Sequence, residues 1–171
     1  KIGKAIKEMI DLGLIEKSNM ALYGAQASGS SPITTAVKKE SDVIAPVIPN
    51  TIAHSIAIGN PADGYYSVKA INNSGGCAED VSDDELVEGI KLLASTEGIF
   101  TETAGGVTVA VTKKLIEQGK LPRDESIVIC ITGNGLKTLE AVMDKVEKPC
   151  VIDANIESFN AIMEKREACT A

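Results

Sequence analysis

Apolar and polar positions along the chain keep two different rhythms. Ile2, Ile6, Met9 and Ile10 recur at helical spacing and the run stops near Gly13, which predicts a short amphipathic helix. Ala21 to Ala27 reads as a short strand, followed by a Ser/Gly loop; Pro32 then opens a helix through Lys39. Residues 41–50 carry Pro46 and Pro49 and read as a loop, and Ile52 to Ile58 read as short-helical, stopped by Gly59-Asn60-Pro61. A helix from Ala62 to Asn73 leads through Gly75-Gly76 to a strand over Cys77 to Val81. Ser82-Asp83-Asp84-Glu85 is a capping box, with a Ser N-cap and Glu at the third helical position. Leu86, Ile90, Leu93 and Ala94 continue that helix as an apolar stripe until Gly98, and Ala104 to Gln118 forms the next, stopped at Gly119. Ser126 to Ile131 is the clearest strand of all. It is apolar on both faces, as in the middle of a parallel sheet, and Gly133-Asn134-Gly135 turns the chain at its end. Val151-Ile152 reads as a last strand and Ile156 to Arg166 as a last helix.

Strand and helix thus alternate, which predicts an α/β fold: a mostly parallel sheet with helices on both faces. The 171 residues suit one domain, expected over 1–148, with a strand and helix tail over 149–171. Hydrophobic residues make up 44% and aromatic ones only 3%, so the core is built from Ile, Val, Leu and Ala. A net charge of −7 argues against nucleic acid and anionic membrane as partners. No apolar run is long enough to cross a membrane and no signal peptide is visible. Cys77, Cys130, Cys150 and Cys169 form neither a zinc signature nor a disulfide framework, so free thiols in a reducing cytoplasm are expected. A single histidine, His54, excludes a multi-histidine metal site and argues against a Ser-His-Asp triad. The chain opens on Lys1 rather than Met, as a processed or shortened chain would.

In open α/β sheets ligands bind beyond the carboxyl ends of the strands. Thr132-Gly133-Asn134-Gly135-Leu136-Lys137 follows the apolar 126–131 run directly, and a Thr hydroxyl there can donate or accept one hydrogen bond. Ile58-Gly59-Asn60-Pro61 is a second candidate loop, and Glu102-Thr103-Ala104-Gly105-Gly106 is a helix start small enough for a ligand or a backbone to approach closely. Taken singly, each has an ordinary structural reading: a strand-to-helix turn, a helix stop, and a tight helix–sheet contact. His54 reads as a structural or substrate-edge residue. No G-x-G-x-x-G or Walker sequence occurs.

The order of these stretches carries more than any one of them. Gly24-Ala25-Gln26-Ala27, Thr51 through Pro61, Val81 through Glu85, Glu97-Gly98-Ile99-Phe100-Thr101-Glu102 and Thr132 through Lys137 together resemble the threonine synthase family. These are fold-type-II pyridoxal-phosphate (PLP) enzymes. The resemblance runs to about Val142 and fades after Lys148. It implies that the chain is the C-terminal part of a longer enzyme. It also implies that Thr132 hydrogen-bonds the pyridine nitrogen of the cofactor, with Gly133 and Gly135 shaping the turn below the ring. Ile58 and Gly59 match the segment beside the ring, and Glu102 an acidic position close by. A neutral hydroxyl at the ring nitrogen makes a milder electron sink than a carboxylate would, which suits elimination and replacement chemistry. The family has Pro after this Glu where this chain has Thr103, which puts the local backbone in question.

The implied reaction turns O-phosphohomoserine and water into threonine and phosphate. The family's cofactor-bearing lysine, in a Ser-Phe-Lys-Asp type segment, and its Gly-Asn-x-Gly-Asn phosphate loop do not occur in these 171 residues. No catalytic residue is therefore assigned, Lys137 included. The isolated chain is expected to be catalytically silent and to hold PLP weakly, because helix N-termini supply most of such a phosphate site. A dehydratase or sulfhydrylase of the same fold, and a non-catalytic α/β binding module, are the competing readings. An exposed sheet edge makes self-association, as a homo-oligomer, a further expectation.

Overall fold

The opening periodicity forms helix α1, Ile2–Asp11. The structure, a computed structural model, describes residues 1–146 and 149–170, so the domain boundary expected at 148 falls outside the described residues. Strand β1 is Gly24–Ala27, narrower than the apolar stretch containing it. Pro32 begins helix α2, Pro32–Lys38, where its missing N–H is no loss. A long loop leads to a single 3-10 turn, His54–Ile56. Helix α3, Gly64–Asn73, and strand β2, Ala78–Val81, follow. Helices α4, Asp83–Glu97, and α5, Thr103–Glu117, come next, then a 3-10 segment, Gly135–Ala141, and helix α6, Ile156–Thr170.

The capping box at α4 is formed in both directions. Glu85 N–H donates to Ser82 Oγ at 3.2 Å and Ser82 N–H donates to Glu85 Oε2 at 2.6 Å. Gly98 closes α4 with φ +67°, a left-handed cap that a side chain would oppose.

β1 and β2 pair in parallel, from Gly24 opposite Ala78 to Ala27 opposite Val81. Successive side chains leave opposite faces of the sheet. Ala25, Ala27 and Val81 join the core cluster with Val107 and Val111 of α5. From the other face Gln26 Oε1 accepts the Thr34 N–H of α2 at 2.8 Å, and Gly24 lies against Ile71 of α3. Helices therefore cover both faces of a parallel sheet, as the alternating pattern predicts. The core extends to Leu86, Val87 and Ile90 of α4, all almost fully buried.

α4 and α5 cross closely because two glycines meet. A Cβ on Gly106 would lie 2.5 Å from Leu86 O, and one on Gly89 2.4 Å from Gly106 O. The small-residue stretch 104–106 thus admits the backbone of a neighbouring helix rather than that of a strand.

Charge is concentrated where β2, α2 and the end of α5 meet. Glu79 is 4% exposed. Its carboxylate takes Lys38, the Asp80 N–H at 3.0 Å and the Gln118 amide at 3.1 Å, with Lys120 3.7 Å away. Burial alone pushes this carboxyl up, but the Lys38, Asp80 and Gln118 hydrogen bonds outweigh it and hold the group down at about 2.

Two expected strands are not formed. Residues 126–131 make no ladder, and Val128 is 85% exposed. A strand that is apolar on both faces needs neighbours on both edges and cover on both sides. Among the described residues the sheet holds only β1 and β2, so nothing meets that need. Val151-Ile152 is likewise exposed and unpaired, for the same lack of a partner strand, while the last helix runs beyond Arg166 to Thr170.

Candidate functional site

The entrance to α5 and the turn after residue 131 are tied together by their backbones. Glu102 N–H donates to Gly133 O at 3.1 Å and Gly135 N–H donates to Phe100 O at 3.0 Å. Thr101 hydroxyl adds a bond to Gly133 O at 3.0 Å, and Thr101 pairs with Asn134 in an isolated antiparallel bridge. Asn134 carries the turn into the 3-10 segment, its side-chain oxygen accepting Leu136 N–H at 2.9 Å. Two stretches some thirty residues apart in sequence thus form one corner.

Glu102 sits at the N-cap position of α5 but its side chain does not cap the helix. It crosses Gly133 instead: a Cβ there would stand 2.0 Å from Glu102 Oε1. A side chain at 133 would displace the carboxylate from this position. Glu102 is 5% exposed. Lys137 Nζ lies 2.8 Å from Oε2 and forms an ion pair with it, while Oε2 makes no hydrogen bond among the described residues. A buried carboxylate oxygen with unused acceptor capacity is costly unless something uses it.

Thr103 begins α5 where the resembled family has Pro. Glu102 holds φ −68° and ψ 172°, an extended geometry that also suits a residue before proline. The helix starts regularly, and Thr103 uses the N–H that proline lacks, donating to Thr138 Oγ1 at 3.2 Å. The substitution therefore leaves the local backbone intact.

Thr132 is exposed at the rim of this corner. Of the residues expected at the site, Glu102 and Gly133 are in direct contact and Thr132 adjoins them. Ile58 and Gly59 stand on a separate loop that leaves the His54–Ile56 turn, which packs against α5. Ile58 is 57% exposed, and Gly59 O accepts Val47 N–H at 3.0 Å. A Cβ on Gly59 would meet Val47 O at 1.9 Å, so the glycine there is required by the chain's own backbone. His54 is exposed rather than packed.

Sequence reading missed Thr101, Thr138 and the carboxylate–ammonium pair of Glu102 and Lys137. Their spacing gives no signal of contact, because the corner closes only in three dimensions. Among the described residues no group of three His, Cys, Asp or Glu side chains is placed to hold a metal ion, and no helix is long and apolar enough to cross a membrane.

A strand–loop–helix frame with a hydroxyl beside a glycine cradle defines a cofactor-facing corner of an α/β enzyme. Residues 2–133 match the pyridoxal-phosphate dependent enzyme family, and the chain belongs to that family. It is similar to a threonine synthase of Methanocaldococcus jannaschii, 41% identical over 96% of this chain and 40% of that protein. A threonine synthase of Methanosarcina acetivorans is also 41% identical, over 92% of this chain and 39% of its own length. The chain thus spans about two fifths of the relatives it matches. Among solved structures, a fungal L-serine ammonia-lyase from Rhizomucor miehei superposes with a TM-score of 0.59 over 84% of this chain and 45% of its own. At 18% identity that likeness shows a shared fold.

The family's cofactor is pyridoxal phosphate, and the corner offers it polar groups beside a residue without a side chain. Thr132 offers a hydroxyl that can donate or accept. Gly133 presents a surface without a side chain, beside the buried Glu102 carboxylate that pairs with Lys137.

Proposed function

We propose that the protein to which this chain belongs is a threonine synthase, converting O-phosphohomoserine and water to threonine and phosphate with pyridoxal phosphate. The observation that carries this reading is the closure of the Thr132–Gly133 turn onto the buried Glu102. It is supported by 41% identity to two archaeal threonine synthases over more than nine tenths of the chain.

Within that reading, Thr132 binds the ring nitrogen through its hydroxyl and leaves it without the fixed proton that a carboxylate would impose. Gly133 would leave space for the ring beside the turn, and Ile58 and Gly59, on the loop after the His54–Ile56 turn, would contribute to holding it. Glu102 holds negative charge beside the turn. Bound, the cofactor supplies the electron sink for proton removal and for departure of phosphate from the γ carbon. Residues 1–148 then form the C-terminal part of the cofactor-binding domain and 149–171 an appended tail. The chain by itself is catalytically silent, and the free thiols suit a cytoplasmic enzyme.

The test is an assay of the full-length protein loaded with pyridoxal phosphate. Release of phosphate from O-phosphohomoserine with matching formation of threonine is expected. Ammonia release from serine or threonine, with no action on O-phosphohomoserine, would instead place it among the dehydratases.

A further inference from the structure

Glu102 has two carboxylate oxygens with different surroundings. Oε1 lies over Gly133, where a Cβ would come within 2.0 Å, and Oε2 faces Lys137 Nζ at 2.8 Å. The lysine comes from the 3-10 segment Gly135–Ala141 that continues the Thr132 turn, so the pair spans the joint between that turn and α5. The side chain of Lys137 is 61% exposed while that of Glu102 is 6% exposed. An ion pair with one partner in water adds little to stability. Nor does the pair serve the helix, since Glu102 does not cap α5. The backbone bonds from Glu102 to Gly133 and from Gly135 to Phe100 already join the two segments. What the lysine adds is a neutralising charge that draws toward it a carboxylate otherwise buried unpaired.

We propose that Lys137 is a positioning residue for the cofactor end of the site: by holding the Glu102 carboxylate across Gly133 it fixes the turn that presents the Thr132 hydroxyl. This rests on the reading of Thr132 and Glu102 given above. With Lys137 neutral, the carboxylate swings off Gly133 or draws in water, and the turn loses the surface on which the ring nitrogen is received. Arginine at the same position keeps the charge and can still reach the carboxylate.

The experiment uses the full-length protein and its Lys137→Met, Lys137→Arg and Glu102→Gln variants. The readouts are the dissociation constant for pyridoxal phosphate, the visible absorption maximum of the bound cofactor, and the melting temperature of the cofactor-free protein. Lys137→Met is expected to weaken cofactor binding about 10-fold, a change of one decade in Kd, and to move the absorption maximum. Lys137→Arg stays within about 3-fold of the parent and keeps its cofactor-free melting temperature, whereas Lys137→Met lowers that temperature by less than its loss of cofactor affinity accounts for, since the freed carboxylate can turn toward water. Adding Lys137→Met to Glu102→Gln produces no further loss, because the lysine acts through the carboxylate. Equal affinity and spectrum for the parent and Lys137→Met would overturn the proposal. So would a full loss in the Glu102→Gln background, or a fall in cofactor-free melting temperature that accounts for the weakened binding. A parent protein that binds no pyridoxal phosphate would instead remove the functional reading beneath it.

Discussion

Gly133 and Glu102 are matched in shape: the carboxylate of one fills the space where a Cβ of the other would stand, with Glu102 Cδ only 2.2 Å from that point. The contact explains why a turn residue at the end of an apolar run lacks a side chain. Glycine is needed here for close approach, not for a left-handed backbone, since Gly133 is not among the positive-φ glycines.

Gly133→Ala is therefore expected to push Glu102 out of its buried place and to cost about 1–3 kcal/mol of stability, the usual range for overpacking. Urea or thermal melts of the chain check the stability. Cofactor titration of the full-length protein should show weaker binding than the stability loss alone explains. A fully stable Gly133→Ala variant would mean that the carboxylate is free to move.

Glu79 makes the fold sensitive to acid. Its folded-state value of about 2 lies below the ordinary 4.5 of the unfolded chain. The unfolded chain thus binds the proton more readily, and the stabilisation is complete above about 4.5 and lost as pH falls toward about 2. Stability measured by urea melts should decline across that window. In Glu79→Gln the decline should be shallower. Glu79→Ala leaves Lys38, Lys120 and Gln118 without their carboxylate, at a cost of about 2 kcal/mol, less than for a fully buried pair because the lysines reach water.

How far this architecture is legible in the sequence depends on where each element finds its partners. The capping box, the Gly98 stop, both faces of the β1–β2 sheet and the α2 start at Pro32 are encoded locally, by residue type and period, and all are found. Ser126–Ile131 carries the strongest strand pattern of the chain yet forms none, because strand formation needs edges to pair with. The Thr132 turn is readable as a turn from its glycines. Its closure onto Glu102 through Thr101 and Lys137 is a long-range contact that no spacing rule reports.

The unpaired 126–130 segment borders a cleft of about 710 Å³, lined also by Ala25 of β1 and by Val111 and Leu115 of α5. Open apolar surface of this kind promotes association. The chain on its own should bind a hydrophobic dye and self-associate in sedimentation or light scattering. Val128→Lys should reduce both, with stability changed by no more than about 0.5 kcal/mol, since Val128 is 85% exposed. A monomeric chain that binds no dye would show that this surface is covered in solution by the chain itself.

The most direct measurement is the affinity of the full-length protein for pyridoxal phosphate when Thr132 is replaced by Val, which removes the hydroxyl and keeps the shape. Loss of one hydrogen bond to the ring nitrogen should weaken binding about 10-fold and shift the cofactor's absorption, with no change in cofactor-free stability, as Thr132 is exposed. Unchanged affinity and spectrum would mean that the Thr132–Gly133 corner does not receive the cofactor ring.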